Sequence, residues 1–151
     1  MPFLALKLVH VLAAVVAVGA NVTYAVWLSG AGRDRDRLVF AIDGIRRLDR
    51  RLANPGYVLL LLTGIGMVAT GAYRFLTPGM HWLDVAVTLY VLTAVLGITV
   101  FAPALRQQLA LARQDPSTPA YAAAARRTRW LTVATTSIVV VIVALMVTKP
   151  F

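Results

Sequence analysis

The chain has 151 residues, enough for one domain, and 60% of them are hydrophobic while only 14% are charged. Soluble domains contain about 45–50% apolar residues, so this composition excludes an ordinary soluble fold and predicts a membrane protein. The chain has no cysteine, which excludes disulfides, cysteine-ligated iron–sulfur clusters and covalently attached c-type haem.

The net charge of +9 is concentrated in two stretches of the chain. Seven arginines lie in residues 31–53 and five in residues 106–129, and both stretches separate hydrophobic segments. Loops rich in arginine and lysine face the cytoplasm in membrane proteins. The distribution therefore predicts the orientation of a multi-pass chain, and it argues against a nucleic-acid partner.

Four apolar segments are long enough to cross a bilayer, which takes about 20 residues. We therefore predict an all-α polytopic membrane protein, a four-transmembrane-helix bundle that forms a single domain over residues 1–151. Both termini lie outside, and the arginine-rich loops, at about 29–55 and 106–129, are cytoplasmic. The predicted spans run over residues 3–28, 56–73, 82–105 and 130–148.

The first span carries polar residues at helical spacing, with Lys7, His10 and Asn21 on one stripe. A cleavable signal peptide over residues 1–30 is the less favoured interpretation, because the basic region is weak and the apolar run is too long. Polar side chains at membrane depth usually face the bundle interior. The residues predicted to do so are Asn21, Thr63, Thr70, Asp84 and Thr88.

The arginine-rich loops also show helical patterns. Apolar residues recur at helical spacing from Leu38 to Leu52, while Asp43 and Arg47 lie on another face. This pattern predicts an amphipathic loop helix that either lies on the membrane surface or extends the second span into the cytoplasm. In the second loop, the sequence DPSTP predicts a turn between two helical pieces.

The two histidines of the chain are candidates for a functional site, and three interpretations stay open. In the first, His10 bonds to Asp84 or to a backbone carbonyl and locks helices together. In the second, His10 and His81 are axial ligands of b-type haem in the outer half of the membrane, and Lys7 or Arg74 holds a propionate. In the third, His10, His81 and Asp84 bind a divalent metal or relay protons. Asp84 follows His81 by three residues, so these two side chains share a helix face.

Four stretches spread over nearly the whole chain carry a recognisable pattern: LKLVHVLAAVVAVGANVTYAVWL, RRLDRRLANPGYVLLLLTGIGM, HWLDVAVTLYVLTAV and LMVTKPF. The matching residues are Lys7, His10, Gly19, Asn21, Trp27, Asp49, Pro55, Gly56, Thr63, Gly64, Trp82, Met146, Lys149 and Pro150. The pattern resembles the bacterial integral membrane protein family known as domain of unknown function 2269, although GAN stands here in place of an expected Gly-Asn pair. The resemblance implies four spans in the bacterial inner membrane, and it implies no activity.

The sequence contains no enzyme signature, such as a phosphate-binding glycine loop or a nucleophile elbow. The favoured function is a redox bundle that binds b-type haem or a metal in the outer half of the membrane. A histidine followed by small residues in the first span also resembles small haem- or copper-associated membrane families. The alternatives are a non-catalytic scaffold or accessory subunit and a minimal transporter or proton path. Beyond lipid, the expected partners are further copies of the chain or a larger membrane complex.

Overall fold

The computed structural model describes residues 2–32 and 34–150, and every regular element in this part of the chain is helical. The helices are α1 (Pro2–Ala31), α2 (Arg35–Leu48), α3 (Asn54–Ala69), α4 (His81–Leu96), α5 (Ala102–Gln114) and α6 (Pro119–Thr148). They form four stretches long and apolar enough to cross a bilayer: Pro2–Ala31, Arg35–Ala69, His81–Gln114 and Pro119–Thr148. The all-α fold with four membrane-spanning helices is thus confirmed. The lipid boundary within each helix and the side that each end faces stay predictions.

Two short π-helical segments join α2 to α3 and α4 to α5, so that each pair forms one continuous helix. The segments are Asp49–Ala53 and Gly97–Phe101. Each is followed by a proline, Pro55 or Pro103, in the first turn of the next helix. Proline lacks an N–H and its ring clashes with the carbonyl four residues earlier, and the wider π turn accommodates both defects. The amphipathic loop helix therefore extends the second span, which is one of its two predicted arrangements.

The turn predicted at DPSTP lies between α5 and α6. Asp115 accepts hydrogen bonds from the backbone N–H and the hydroxyl of Ser117, at 2.8 and 2.7 Å. These bonds hold the pKa of Asp115 below its usual range. Thr118 then caps α6 by accepting a hydrogen bond from the N–H of Tyr121 at 3.2 Å, with Pro119 in the first turn. The turn prediction is confirmed.

The helices extend beyond the membrane bundle into an arginine-rich head, which is formed by the last turns of α1, by α2 and α5, and by the first turns of α6. Because α2 and α5 are amphipathic, their apolar sides close a core between them. The buried residues of that core are Tyr24, Ile42, Ile45, Leu105, Leu109 and Ala112. In the most apolar windows of the four spanning helices, by contrast, only 6% to 22% of the residues are buried. Most of the membrane bundle therefore presents its surface to lipid.

The order of the helices decides which polar side chains can meet. Within the described residues, α1 packs against α3, α2 and α6, while α4 packs against α6. Backbone packing between α1 and α4 is absent from this part of the chain. Polar residues of α1 consequently meet those of α3 rather than those of α4.

At the end of the bundle that carries both termini, Lys149 connects three elements. Its Nζ lies 3.3 Å from the hydroxyl of Tyr73, and 5.2 and 5.3 Å from the ring centroids of Tyr73 and Trp82. The two rings meet edge to face with their centroids 5.6 Å apart. An ammonium group over aromatic faces is attracted by the ring quadrupoles. These contacts tie the end of α6 to the start of α4 and to the loop between α3 and α4.

Candidate functional site

His10 lies between α1 and α3, where its Nδ1 is 2.8 Å from the hydroxyl oxygen of Thr63. His10 is half-buried, and Thr63 is only 5% exposed. The position lies about 12 Å along α1 from its start at Pro2, at 1.5 Å per residue. The side-chain partner of this histidine is therefore a threonine of the neighbouring helix and not Asp84, and the backbone carbonyl of Leu60 on the same helix is also within its hydrogen-bonding reach.

The hydrogen bonds of Thr63 determine which nitrogen of His10 carries the proton. The hydroxyl oxygen of Thr63 lies 2.6 Å from the carbonyl oxygen of Leu59, and a carbonyl can only accept. If the single hydroxyl proton lies in that contact, the same oxygen accepts from Nδ1 of His10. The neutral imidazole is then protonated at Nδ1 and has its lone pair on Nε2. Among the hydrogen bonds of the described residues, none involves Nε2.

Close approach of α1 and α3 makes this contact possible. A Cβ built on Gly64 would lie 3.6 Å from Cε1 of His10, so the imidazole ring sits directly against the α3 backbone. Further along the same crossing, a Cβ on Gly56 would lie only 3.1 Å from the Cβ of Ala17. Small residues let membrane helices approach and form hydrogen bonds across their interface. The α1–α3 pair is the tightly packed unit in which the candidate site lies.

The other histidine belongs to a different location. His81 is the first residue of α4, and its Nδ1 lies 3.4 Å from a carboxylate oxygen of Asp84, as their spacing predicted. Both Asp84 oxygens also accept a hydrogen bond from the N–H of Leu76, each at 3.2 Å. Leu76 has a positive φ of 53°, so this carboxylate holds an unusual loop conformation in place. Asp84 therefore organises the loop between α3 and α4, and no contact in the described structure joins it or His81 to His10.

The remaining predicted site residues lie at the end of the bundle that carries both termini and on the bundle surface. Lys7, one turn before His10, and Arg74, in the loop after α3, are both exposed. Thr70 and Thr88 are also exposed, and their hydroxyls donate to carbonyls of their own helices, those of Met67 and Asp84. Within residues 2–32 and 34–150, no group of three or more histidine and acidic side chains could hold a metal ion.

A second polar cluster near the head was only partly visible in the sequence. Asn21, predicted to face the interior, donates a hydrogen bond to the hydroxyl of Tyr57. Tyr90 of α4 donates to the carbonyl of Tyr57 at 2.6 Å. Tyr24, which is 1% exposed, donates to the carboxylate of Asp49. The signal that could have revealed this cluster is the presence of tyrosines inside otherwise apolar runs.

The two polar clusters do not form one continuous path. Ala13 and Ala17 of α1, 5% and 0% exposed, lie between His10 and Asn21 and pack against Gly56 of α3. This layer carries no side-chain donor or acceptor. The described structure thus offers two separate polar clusters along the α1–α3 crossing.

Fold and site together define a small integral membrane protein: four spanning helices, an arginine-rich head and hydrogen-bonded polar clusters inside the bundle. The family described as predicted integral membrane protein, domain of unknown function 2269, matches residues 4–150. The chain belongs to this family, as the sequence pattern predicted. Searches of curated proteins and of solved structures gave no significant match to the chain.

Proposed function

We propose that this protein is a membrane bundle that binds b-type haem through Nε2 of His10. The observation that carries the proposal is the hydrogen bond from Nδ1 of His10 to Thr63, because it leaves Nε2 as the lone-pair donor. Histidines that ligate metals typically donate their other ring N–H to a protein oxygen, which fixes the tautomer and the ring orientation. A haem iron held by one imidazole supplies a one-electron redox centre.

The chain provides suitable neighbours for the haem propionates. Lys7 lies one helical turn from His10 toward the start of α1 and is exposed, and Arg74 is exposed in the loop after α3. Either cation would pair with a propionate carboxylate at the membrane surface. His81 is held by Asp84 at the start of α4, so His10 would be the histidine of the chain that holds the haem iron. A haem held by two histidines would need His10 from two copies of the chain.

The proposal is tested by absorption spectra of protein purified in mild detergent from cells supplied with haem. Oxidised and dithionite-reduced samples of wild type, His10→Ala and His81→Ala are compared at equal protein concentration. We expect a Soret band in wild type and His81→Ala, and its loss in His10→Ala. Wild-type protein without a Soret band, or an equal loss in both variants, would reject His10 as the ligand. The spin state of the oxidised haem shows whether one or two imidazoles bind.

A second candidate is a non-catalytic scaffold or accessory subunit, which is favoured by the sparse burial within the spanning windows. Small-residue surfaces and a separately packed head suit association with further copies or with larger membrane proteins. In this function the bond between His10 and Thr63 only joins α1 to α3. The scaffold function predicts a stable oligomer without a chromophore, and light scattering in detergent measures the mass of this oligomer. A monomer that lacks a Soret band would contradict both functions.

We place the protein in the inner membrane of a bacterium, with the arginine-rich head in the cytoplasm and both termini outside. The support is the distribution of arginines, since the head contains most of the basic residues of the chain. Single cysteines are introduced at Ser117 and at Pro78, which lies in the loop at the other end of the bundle. Labelling them from each side of the membrane tests this orientation, because the natural chain has no cysteine.

A further inference from the structure

An open groove runs down the lipid-facing side of α3, starting at the π segment that joins it to α2. Its polar end contains Arg50 and Asn54, and the rest of it is apolar. Val58, Leu59 and Leu62 are 57%, 41% and 61% exposed, so neither α1 nor the other helices cover this face. The residues that line the groove are Arg50, Asn54, Pro55, Val58, Leu59 and Leu62.

We place the polar end of the groove at the depth of lipid headgroups, taking Ala69 as the far limit of the hydrocarbon core. The hydrocarbon core is about 30 Å thick, which corresponds to about 20 helical residues. Counted back from Ala69, where α3 ends, this length reaches Arg50. The guanidinium group therefore lies at the boundary between hydrocarbon and headgroups on the side of the arginine-rich head. The apolar part of the groove then runs alongside the acyl chains of that leaflet.

Arg50 differs in its charge environment from Arg46 and Arg47, the two arginines that precede it in the helix. Arg47 lies 2.9 Å from one carboxylate oxygen of Asp43, and Arg46 lies 3.9 Å from the other. Asp49, next to Arg50 in the chain, accepts a hydrogen bond from Tyr24 inside the head. Within the described residues, no acidic group forms an ion pair with Arg50. The groove thus ends in an exposed cation that is not neutralised by the protein.

We propose that this groove binds one anionic glycerophospholipid. The phosphate is bound by the guanidinium group of Arg50 and the side-chain amide of Asn54, and one acyl chain follows Pro55, Val58 and Leu62. Arginine matches phosphate because its planar fork donates two parallel hydrogen bonds. Basic sites at the cytoplasmic ends of transmembrane helices commonly recognise anionic headgroups. Net negative lipids are favoured over zwitterionic lipids, since a choline group would bring a second positive charge toward Arg50.

A second groove of the head makes a useful contrast. It lies beside the stacked rings of Trp27 and Phe40, and its lining includes both Arg47 and Asp43. Asp36 and Arg51 line it as well, so two cations and two carboxylates balance there. An anionic lipid is therefore attracted less strongly to such a surface than to an unpaired arginine. Selectivity for anionic lipid is therefore assigned to the Arg50 groove.

The test is native mass spectrometry of the full chain in detergent, titrated with phosphatidylglycerol or with phosphatidylcholine of identical acyl chains. Arg50→Gln removes the charge and keeps a side chain of similar length. Arg47→Gln is the matched control, because it removes an equally exposed arginine of the same helix that is already paired with Asp43. Circular dichroism and gel filtration verify that both variants fold as wild type does.

We expect the first phosphatidylglycerol to bind five- to tenfold more weakly to Arg50→Gln and within twofold of wild type to Arg47→Gln. Phosphatidylcholine should bind more weakly than phosphatidylglycerol to wild type. Because it carries the same phosphate, its affinity should also fall in Arg50→Gln, but by a smaller factor than that of phosphatidylglycerol. Equal weakening by both substitutions would overturn the proposal, because it would indicate diffuse attraction by the whole head. A wild-type dimer that excludes both lipids until Arg50→Gln separates it would also overturn it, since a second copy would then occupy the groove. Neither result depends on whether His10 binds haem.

Discussion

Gly56 lies where α3 approaches α1 most closely, and a larger side chain there should separate the two helices. A Cβ added at this position would meet the Cβ of Ala17 at 3.1 Å, the carbonyl oxygen of Ala13 at 3.5 Å and the Cα of Ala17 at 3.7 Å. Two of these atoms belong to the α1 backbone, so no side-chain rotation relieves the contact. We expect Gly56→Leu to shift α1 and to strain the bond between His10 and Thr63.

The expected loss of stability follows from a comparison with Gly19. This residue lies on the exposed side of α1, with nothing within 4 Å of an added Cβ. Replacing a helical glycine gains about 0.8–1 kcal/mol of helix propensity at either site, so this gain cancels in the comparison. Overpacking at Gly56 costs about 1–3 kcal/mol. Gly56→Leu should therefore be about 1–3 kcal/mol less stable than Gly19→Leu.

The assay is thermal unfolding in one detergent, followed by tryptophan fluorescence, for wild type and the two leucine variants. Trp82 is 4% exposed at the start of α4, so its emission changes when the bundle unfolds. Gly19→Leu should unfold at or above the wild-type temperature, and Gly56→Leu clearly below it. Equal unfolding temperatures for the two variants would refute the close packing of α1 on α3 at this position.

Two further substitutions test the polar clusters. Thr63→Val removes the hydroxyl partner of His10 and should lower stability by about 0.6 kcal/mol and by no more than about 1.7 kcal/mol, the average and the maximum for hydrogen bonds between membrane helices. Thr88→Val removes a hydroxyl bonded only within its own helix and should change thermal stability little. If both valine variants melt alike, the assigned bond to His10 does not contribute. Tyr24→Phe leaves the carboxylate of Asp49 without its donor and should destabilise the head by about 1–3 kcal/mol. Hydrogen exchange measured for α2 tests this, and unchanged exchange would show that the pair is not stabilising.

Contacts within one helix could be predicted because helical geometry alone determines them. Asp43 and Arg47 are four residues apart and lie 2.9 Å from each other, and His81 and Asp84 are three residues apart at 3.4 Å. Residues at these spacings are neighbours on any α-helix, whatever surrounds it. These two pairs were therefore expected before the helices were arranged in space.

Contacts between helices could not be predicted in the same way. Sequence spacing places His10 on the inner stripe of α1, but it contains no information on which helix lies opposite. Asp84 was the expected side-chain partner because it is an acidic residue predicted at similar depth. The structure instead pairs His10 with Thr63, because α1 packs on α3 and not on α4. The hydroxyl of Thr63 was predicted to face the interior, and only its partner was missing.

The sequence by itself determined that the chain is helical, that four of its segments can cross a membrane, and where the arginines lie. Each of these follows from the free energy of transferring each residue between water and lipid, and this free energy does not depend on neighbours in space. The tertiary structure alone decided which helices touch and how α2 and α5 build the head. It also left Nε2 of His10 and the guanidinium group of Arg50 without partners among the described residues. These features depend on helix order and rotation, because a polar group inside a bundle is satisfied only by what the next helix places opposite it.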